Sequence, residues 1–178
     1  MQETGAFYSF NNIRYADAPV GKLRWQAPEA PKREATVQNG SNDRVCYSAG
    51  PAWFNTAVQF LPAYLTGQVD AFYEAQKNGS GPPLQAPKPD PRETEDCLFL
   101  DVVAPKKIFD ARRKYAPRKG GAAVLVWIHG GGYTTGSKSG SGNPAGLLAR
   151  ASDSEGREGE GVVYVALNYR VCWPLLSS

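Results

Sequence analysis

Two short runs of apolar residues, 124–128 and 162–167, constrain the fold of this chain more than any other feature of its sequence. Each run has the length of a strand and is rich in β-branched residues. Neither shows the alternation of apolar and polar residues that is typical of a strand with one face in water. We therefore expect two strands that are buried on both faces, and strands of this kind are usually parallel.

The segment between the two runs carries the signals of a helix. Asn143 is a residue type that caps helix N-termini, and Pro144 suits a first helical position. Residues 145–151 then supply a short helical stretch that contains two leucines. The order of strand, glycine-rich loop, helix and strand predicts a crossover unit between neighbouring parallel strands.

The rest of the chain predicts extended segments and short helices. Residues 1–35 are broken by prolines, which favours extended edge segments and turns. Residues 55–78 have apolar side chains at helical spacing and predict short helices that are interrupted around Pro62 and Gly67. Residues 98–103 form a compact apolar run interrupted by one acid, which we interpret as a strand.

Composition and charge exclude several classes of function. The chain has 178 residues and a net charge of +3, and it contains one basic cluster. That cluster comprises Lys106, Lys107, Arg112, Arg113 and Lys114. Acidic residues occur on both sides of it, so we interpret it as a solvated face and expect no nucleic-acid partner. No apolar stretch approaches the roughly 20 residues of a membrane span, and residues 1–15 do not have the pattern of a signal peptide.

The residue types that bind metals are scarce. His129 is the only histidine, and no two of the three cysteines lie at C-x-x-C spacing. We therefore expect no metal site and no cofactor.

The chemistry concentrates at residues 129–133, where three consecutive glycines follow the first apolar run. Without Cβ atoms, the chain can adopt positive φ angles and direct successive N–H groups into one concavity that suits an anion. A plain glycine turn after a strand is the simpler interpretation of this run alone. A phosphate-binding loop is disfavoured, because residues 131–139 are one residue out of register with the G-x-x-x-x-G-K-[ST] pattern.

Several segments together resemble the type-B carboxylesterase and cholinesterase family of the α/β-hydrolase superfamily, including its fungal members. Residues 126–133 (VWIHGGGY) are similar to the oxyanion-hole strand and loop of that family, and residues 95–105 (EDCLFLDVVAP) resemble its second signature. Residues 12–24 resemble its N-terminal segment, and residues 162–170 resemble the strand that ends in Asn-Tyr-Arg.

The resemblance implies an α/β fold and ester hydrolysis through a serine acyl-enzyme. It implies a mixed sheet whose antiparallel N-terminal strands lead into parallel strands. By position, Gly131 and Gly132 would donate N–H groups to the oxyanion, and His129 and Gly130 would support the loop. The substrate would be a small-molecule ester.

The sequence departs from the family pattern at the nucleophile. It contains no G-x-S-x-G turn, and residues 136–140 have Lys138 where the serine would stand. We expect this segment to be a flexible loop and His129 not to act as a general base. No catalytic nucleophile, acid or base is then assigned, and the 178 residues are expected to be inactive alone.

The resemblance also implies a disulfide between Cys46 and Cys97. Two buried thiols in a reducing compartment are the alternative, and Cys172 has no assigned partner. The sequence has glycosylation sequons at Asn39 and Asn78, which slightly favour a secreted parent protein.

Residues 1–170 are expected to be the N-terminal portion of a carboxylesterase domain, and residues 171–178 depart from the family pattern. A truncated gene product or short isoform is one interpretation of that departure. A non-catalytic binding or adhesion member is the alternative function class. The triple glycine favours enzymatic ancestry, because an adhesive protein has no use for converging N–H groups.

Overall fold

A computed structural model of the chain describes residues 2–33, 38–49, 52–81, 90–111, 121–153 and 161–171. Within these ranges five strands form one sheet in the order β1-β2-β3-β5-β4. The strands are β1 (Gln2–Thr4), β2 (Phe7–Arg14), β3 (Phe99–Pro105), β4 (Ala123–Ile128) and β5 (Val162–Leu167). Only the β4–β5 pair is parallel among them. The predicted mixed sheet, with antiparallel N-terminal strands that lead into a parallel pair, is confirmed.

The predicted burial of the two apolar runs is only partly correct. In β5, Tyr164 and Ala166 are buried and the other residues of the strand are half-buried. In β4 the prediction is wrong, since Val124 is 58% exposed and Ile128 is 65% exposed. The reason is position, because β4 is the outermost strand of the described sheet. Of its apolar side chains, Trp127 packs against the core cluster that contains Leu148, and most of the others are exposed.

The helix that precedes β5 is α4 (Ala145–Asp153), and its N-terminus forms as the sequence predicts. The side-chain oxygen of Asn143 accepts a hydrogen bond from Ala145 N at 2.9 Å, and Pro144 O accepts from Leu148 N at 3.0 Å. Leu148 is fully buried and packs with Tyr164 in the larger core cluster. The cap therefore fixes where the apolar side of α4 meets the sheet.

The predicted break at Gly67 is confirmed and the one at Pro62 is wrong. α1 (Ala52–Leu65) continues through Pro62, and α2 (Val69–Lys77) begins after Gly67, which has a φ of 71°. Pro62 lacks an N–H donor, so α1 loses one intrahelical hydrogen bond there without ending. The Thr66 hydroxyl donates to Pro62 O at 2.9 Å, so the end of α1 is satisfied locally. A shorter helix, α3 (Lys106–Ala111), follows β3.

Cys46 and Cys97 form the expected disulfide, and both residues are buried with Ala16 and Leu98 in a second core cluster. The bonded cysteines are 51 residues apart. On the chain-entropy model, closing a loop of that length stabilises the fold by about 4 kcal/mol. Cys172 lies outside the described residues.

A carboxylate next to this disulfide joins two segments through arginines. Asp96 accepts two hydrogen bonds from the Arg14 guanidinium, at 2.5 and 2.8 Å, and also pairs with Arg44. The hydrogen bond from Arg14 holds the pKa of Asp96 below its usual value, against the opposing effect of burial. The ion pair of Arg14 with Asp96 links the end of β2 to the segment that precedes β3.

We predict that Asp96→Asn destabilises the protein in a pH-dependent way. The pKa of Asp96 is lower in the folded chain than in the unfolded chain, so its ion pairs stabilise the fold above about pH 4. That stabilisation is lost as the pH falls through the folded-state pKa. Urea unfolding should show a loss of roughly 2 kcal/mol at neutral pH and a clearly smaller loss at about pH 2.5.

The control for this prediction is Glu29→Gln, which removes an exposed carboxylate. It should change the free energy of unfolding by less than about 0.5 kcal/mol at either pH. An equal loss for Asp96→Asn at both pH values would contradict the assignment of the effect to its charge.

Candidate active site

The glycine loop and residues 168–170 lie at the same edge of the sheet. β4 and β5 are parallel, and their last paired residues are Ile128 and Leu167. Because the carboxyl ends of parallel strands meet at one edge, His129 is brought next to Tyr169 although 40 residues separate them. The sheet topology therefore places the loop against the Asn-Tyr-Arg segment.

His129 is buried, with 4% of its surface exposed, and its contacts are made within the protein. Its ring stacks on Tyr169 with 4.1 Å between ring centroids, and the Tyr169 hydroxyl donates to His129 O at 2.6 Å. Nδ1 lies 3.1 Å from Gly130 O, and a hydrogen bond there requires the proton on Nδ1. These contacts favour a role for His129 in supporting the glycine loop.

Two successive peptide groups of the loop are held by their carbonyl oxygens. Gly130 O is contacted by Nδ1 of His129. Gly131 O accepts hydrogen bonds at 3.1 to 3.3 Å from two threonines, each through its backbone N–H and its hydroxyl, namely Thr134 and Thr135. In a trans peptide the N–H points away from the C=O of the same unit. The N–H groups of Gly131 and Gly132 therefore point away from these contacts, and neither has a partner among the described residues.

Two glycines of the loop are required by close contacts. At Gly131, where φ is 140°, a Cβ atom would lie 2.0 Å from Thr135 O. At Gly136, where φ is 108°, it would lie 2.3 Å from both Gly130 O and His129 Nδ1. Any larger residue at either position would open the loop and release the bound carbonyls.

The expectation of a flexible loop at residues 136–140 is wrong. Lys138–Ser141 form a 3₁₀ helix, and Lys138 is only 3% exposed. Its Nζ donates to Asp43 at 2.9 Å and to Asp101 at 2.8 Å, while its backbone N donates to Asn168 Oδ1 at 2.8 Å. A buried ammonium group needs such partners, because its transfer from water is otherwise very costly.

The partners of Lys138 belong to a wider buried network. Asp101 on β3 also accepts a hydrogen bond from Asn12 N at 2.7 Å, at an irregularity in the pairing of β2 with β3. Asn168 donates to Arg44 O at 2.7 Å and to Cys97 O at 3.1 Å. The exit of the glycine loop is thus joined to β2, β3 and the disulfide.

The same contacts also lower the pKa of Asp43. Burial of this carboxyl acts to raise its pKa, but the hydrogen bonds from Lys138 and Arg92 outweigh burial and hold the pKa below its usual value. The network was not predicted from the sequence, although an acid at position 101 within an apolar run indicated a buried partner. An acid inside an apolar strand requires a cation or several donors nearby.

The other predicted sites are separate from the loop. Asn39 and Asn78 are both exposed, and Asn39 Oδ1 accepts hydrogen bonds from Ser41 N and Ser41 Oγ, at 3.0 and 2.6 Å. Their glycosylation remains a prediction. Lys106 pairs with Glu3 at 3.1 Å, while Arg112, Arg113 and Lys114 lie outside the described residues.

The described ranges contain neither a metal-binding cluster nor a membrane-spanning helix. No group of three or more residues able to hold a metal ion occurs there. Within the same part of the chain, no helix has both the length and the apolar composition to cross a bilayer.

Comparison with known proteins identifies the family. Residues 1–173 match the model of the carboxylesterase family. The chain belongs to this family. Carboxylesterase patB of Aspergillus clavatus is 42% identical over 96% of the chain, and carboxylesterase patB of Penicillium expansum is 37% identical over 96%. The chain spans 31% of the length of each of these two relatives.

Comparison with solved structures supports the fold. The crystal structure of EstA from Aspergillus niger matches 93% of the chain with a TM-score of 0.54 at 23% identity, and the match covers 22% of that protein. The mixed sheet and its helices are therefore part of an α/β-hydrolase fold, as the motifs predicted.

We predict that Lys138→Met destabilises this carboxylesterase-family chain. Methionine retains most of the side-chain volume but leaves Asp101 and Asp43 without their shared cation. Since both carboxylates keep some contact with water, we expect a loss of roughly 2 kcal/mol in the free energy of unfolding, measured with urea.

The matched control is Lys22→Met, at an exposed lysine. It should change the free energy of unfolding by less than about 0.5 kcal/mol. If the two variants lost similar amounts, the ion pairs of Lys138 would not be a significant source of stability.

Proposed function

We propose that this chain supplies the oxyanion-binding part of an enzyme that hydrolyses small-molecule carboxylic esters through a serine acyl-enzyme. The observation that carries the proposal is the pair of N–H groups at Gly131 and Gly132, which have no partner among the described residues and lie next to carbonyls that are already bound. Membership of the carboxylesterase family supports ester hydrolysis as the class of reaction.

The proposed role follows from the charge that develops during the reaction. When a serine attacks an ester carbonyl, the carbonyl oxygen becomes an oxyanion, and fixed N–H donors stabilise it without having to reorganise. Removing a single donor of this kind slows an acyl-transfer enzyme by a factor of about 10² to 10³. The contacts of His129, Thr134 and Thr135 limit rotation of the two peptide groups before any substrate binds.

The 178 residues should not hydrolyse esters by themselves. They contain no G-x-S-x-G turn, and Lys138 occupies the place of the serine in the nearest match. His129 is buried, and its Nδ1 contacts Gly130 O, so it is poorly placed to activate a hydroxyl.

The oxyanion role can be tested by titrating the ¹⁵N-labelled chain with acetate, whose carboxylate offers an anionic oxygen to the two donors. We expect acetate to shift the amide resonances of Gly131 and Gly132. Gly132→Ala should weaken this binding at least about fivefold, because the added methyl group lies beside the N–H and strains a residue with a φ of 61°.

Gly5→Ala is the matched control for that titration. Gly5 also has a positive φ, 57°, and a Cβ there would likewise meet no atom within 4 Å. The two alanine variants therefore carry a similar backbone cost, and only Gly132→Ala should lose acetate binding. An unchanged response in Gly132→Ala, or the absence of any shift in the parent chain, would contradict the oxyanion role.

The absence of turnover has a separate test. The purified chain should not be labelled by a fluorophosphonate probe and should not accelerate hydrolysis of p-nitrophenyl acetate above background. Hydrolysis, or a covalent adduct on any serine, would overturn the proposal that these residues lack a working nucleophile.

A further inference from the structure

The side-chain amide of Asn168 uses both of its N–H donors and its oxygen in hydrogen bonds. Nδ2 donates to Arg44 O at 2.7 Å and to Cys97 O at 3.1 Å, while Oδ1 accepts from Lys138 N at 2.8 Å. The residue is 1% exposed. No other side chain of this length offers two N–H donors together with an acceptor oxygen, so the position is specific for asparagine.

The oxygen of this amide binds the segment through which the glycine loop ends. Lys138 lies two residues after Gly136, and Gly136 packs so closely on the loop that a Cβ there would lie 2.3 Å from Gly130 O. The peptide unit that carries Gly130 O also carries the N–H of Gly131. A shift of the backbone at Lys138 would therefore pass through Gly136 to one of the two N–H donors.

The next residue along the chain holds the other end of the loop. The hydroxyl of Tyr169 donates to His129 O at 2.6 Å, and its ring stacks on the imidazole. His129 is the residue at which the loop begins, and Lys138 follows its last glycine contact. Two successive residues at the end of β5 thus hold the loop at its entry and at its exit.

We propose that Asn168 is a positioning residue for the oxyanion-binding loop. Its hydrogen bond to Lys138 N holds the exit of the loop and thereby fixes the directions of the N–H groups of Gly131 and Gly132. This inference rests on the proposed function, in which those two groups bind the oxyanion. Donors of this kind stabilise developing charge only if they are already oriented when the charge forms, and the loss of Asn168 would remove that orientation.

A matched pair of substitutions at Lys138 isolates this hydrogen bond. Lys138→Ala and Lys138→Pro both remove the ammonium group, but only proline also removes the N–H that binds Asn168. The backbone suits proline, because Lys138 is the first residue of a 3₁₀ helix and Ser137 before it is extended, with φ −158° and ψ 166°. A difference between the two variants therefore reports on the hydrogen bond.

The first readout needs no ligand, because it is the NMR order parameter of the Gly131 and Gly132 amides in the complete 178-residue chain. We expect values near about 0.85 in the parent chain and in Lys138→Ala, and below about 0.6 in Lys138→Pro. The second readout is acetate affinity, which should be about fivefold weaker in Lys138→Pro than in Lys138→Ala, the effect of one ordinary hydrogen bond.

Combining these variants with Asn168→Ala separates positioning from general destabilisation. Added to Lys138→Ala, Asn168→Ala should weaken acetate binding by the same factor of about five. Added to Lys138→Pro, it should weaken binding by less than about twofold, because the hydrogen bond is already absent. A full further loss in the proline variant would show that Asn168 acts by another route, and it would overturn the proposal.

Leu148→Val is the control for a loss of stability, since Leu148 is buried in the core cluster of α4 and β5. It should lower the thermal unfolding midpoint by about 3 °C and leave both the order parameters and acetate affinity unchanged. If it loosened the two glycine amides as much as Lys138→Pro, the order of the loop would follow global stability and the role of Asn168 would be refuted. Where the Lys138 variants do not fold, Asn168→Ala alone, compared with Leu148→Val, decides the same question.

The failures of the two proposals can be told apart. If the parent chain binds no acetate while the glycine amides lose order in Lys138→Pro alone, the oxyanion role fails and the positioning of the loop by Asn168 stands. If acetate binds equally well to both Lys138 variants and the order parameters agree, the oxyanion role stands and the role of Asn168 is refuted.

Discussion

The ammonium group of Lys138, held away from water by two carboxylates, is the contact on which the geometry of the loop depends. Asp101 lies in the middle of β3, Asp43 lies before the disulfide, and Lys138 lies just after the glycine loop. One cation thus joins three segments that are distant in sequence. The hydrogen bond from its own backbone to Asn168 adds the end of β5.

A buried ion pair of this kind adds little net stability compared with apolar packing, although removal of one partner alone is costly. Removing both signs of charge from water costs free energy that their attraction only partly offsets. An alternative packing of these segments, however, would leave an isolated charge in the interior, which is far less favourable. The network therefore acts mainly against wrong arrangements of the loop, and the apolar contacts of Leu148 and Tyr164 supply ordinary burial on α4 and β5.

Sequence predicted those parts of the structure that depend on local pattern. The strands at 98–103, 124–128 and 162–167 and the helix that begins after Asn143 are present, with ends shifted by one or two residues. The disulfide was predicted from family resemblance. Local pattern could not predict the exposure of β4, which depends on whether another element lies beside it.

The errors at Pro62 and at residues 136–140 have a common physical cause. Proline and a Gly-Ser-Lys-Ser run are both local signals of irregular backbone. At Pro62 the helix continues despite the local signal, and at residues 136–140 two distant carboxylates bind Lys138 and order the segment. The positive φ of Tyr133, 64°, was also invisible in the sequence, because an aromatic after three glycines gives no indication of its φ angle.

The crowding at Gly131 and Gly136 means that the glycines of this segment differ in how far they tolerate substitution. At Gly130 an added methyl group would meet no atom within 4 Å, and at Gly140 it would make only an ordinary contact with Trp127. Gly130 and Gly140 could therefore be replaced by alanine with little effect on the packing. Gly131 and Gly136, which close the loop upon itself, could not be replaced without a second substitution to restore the space.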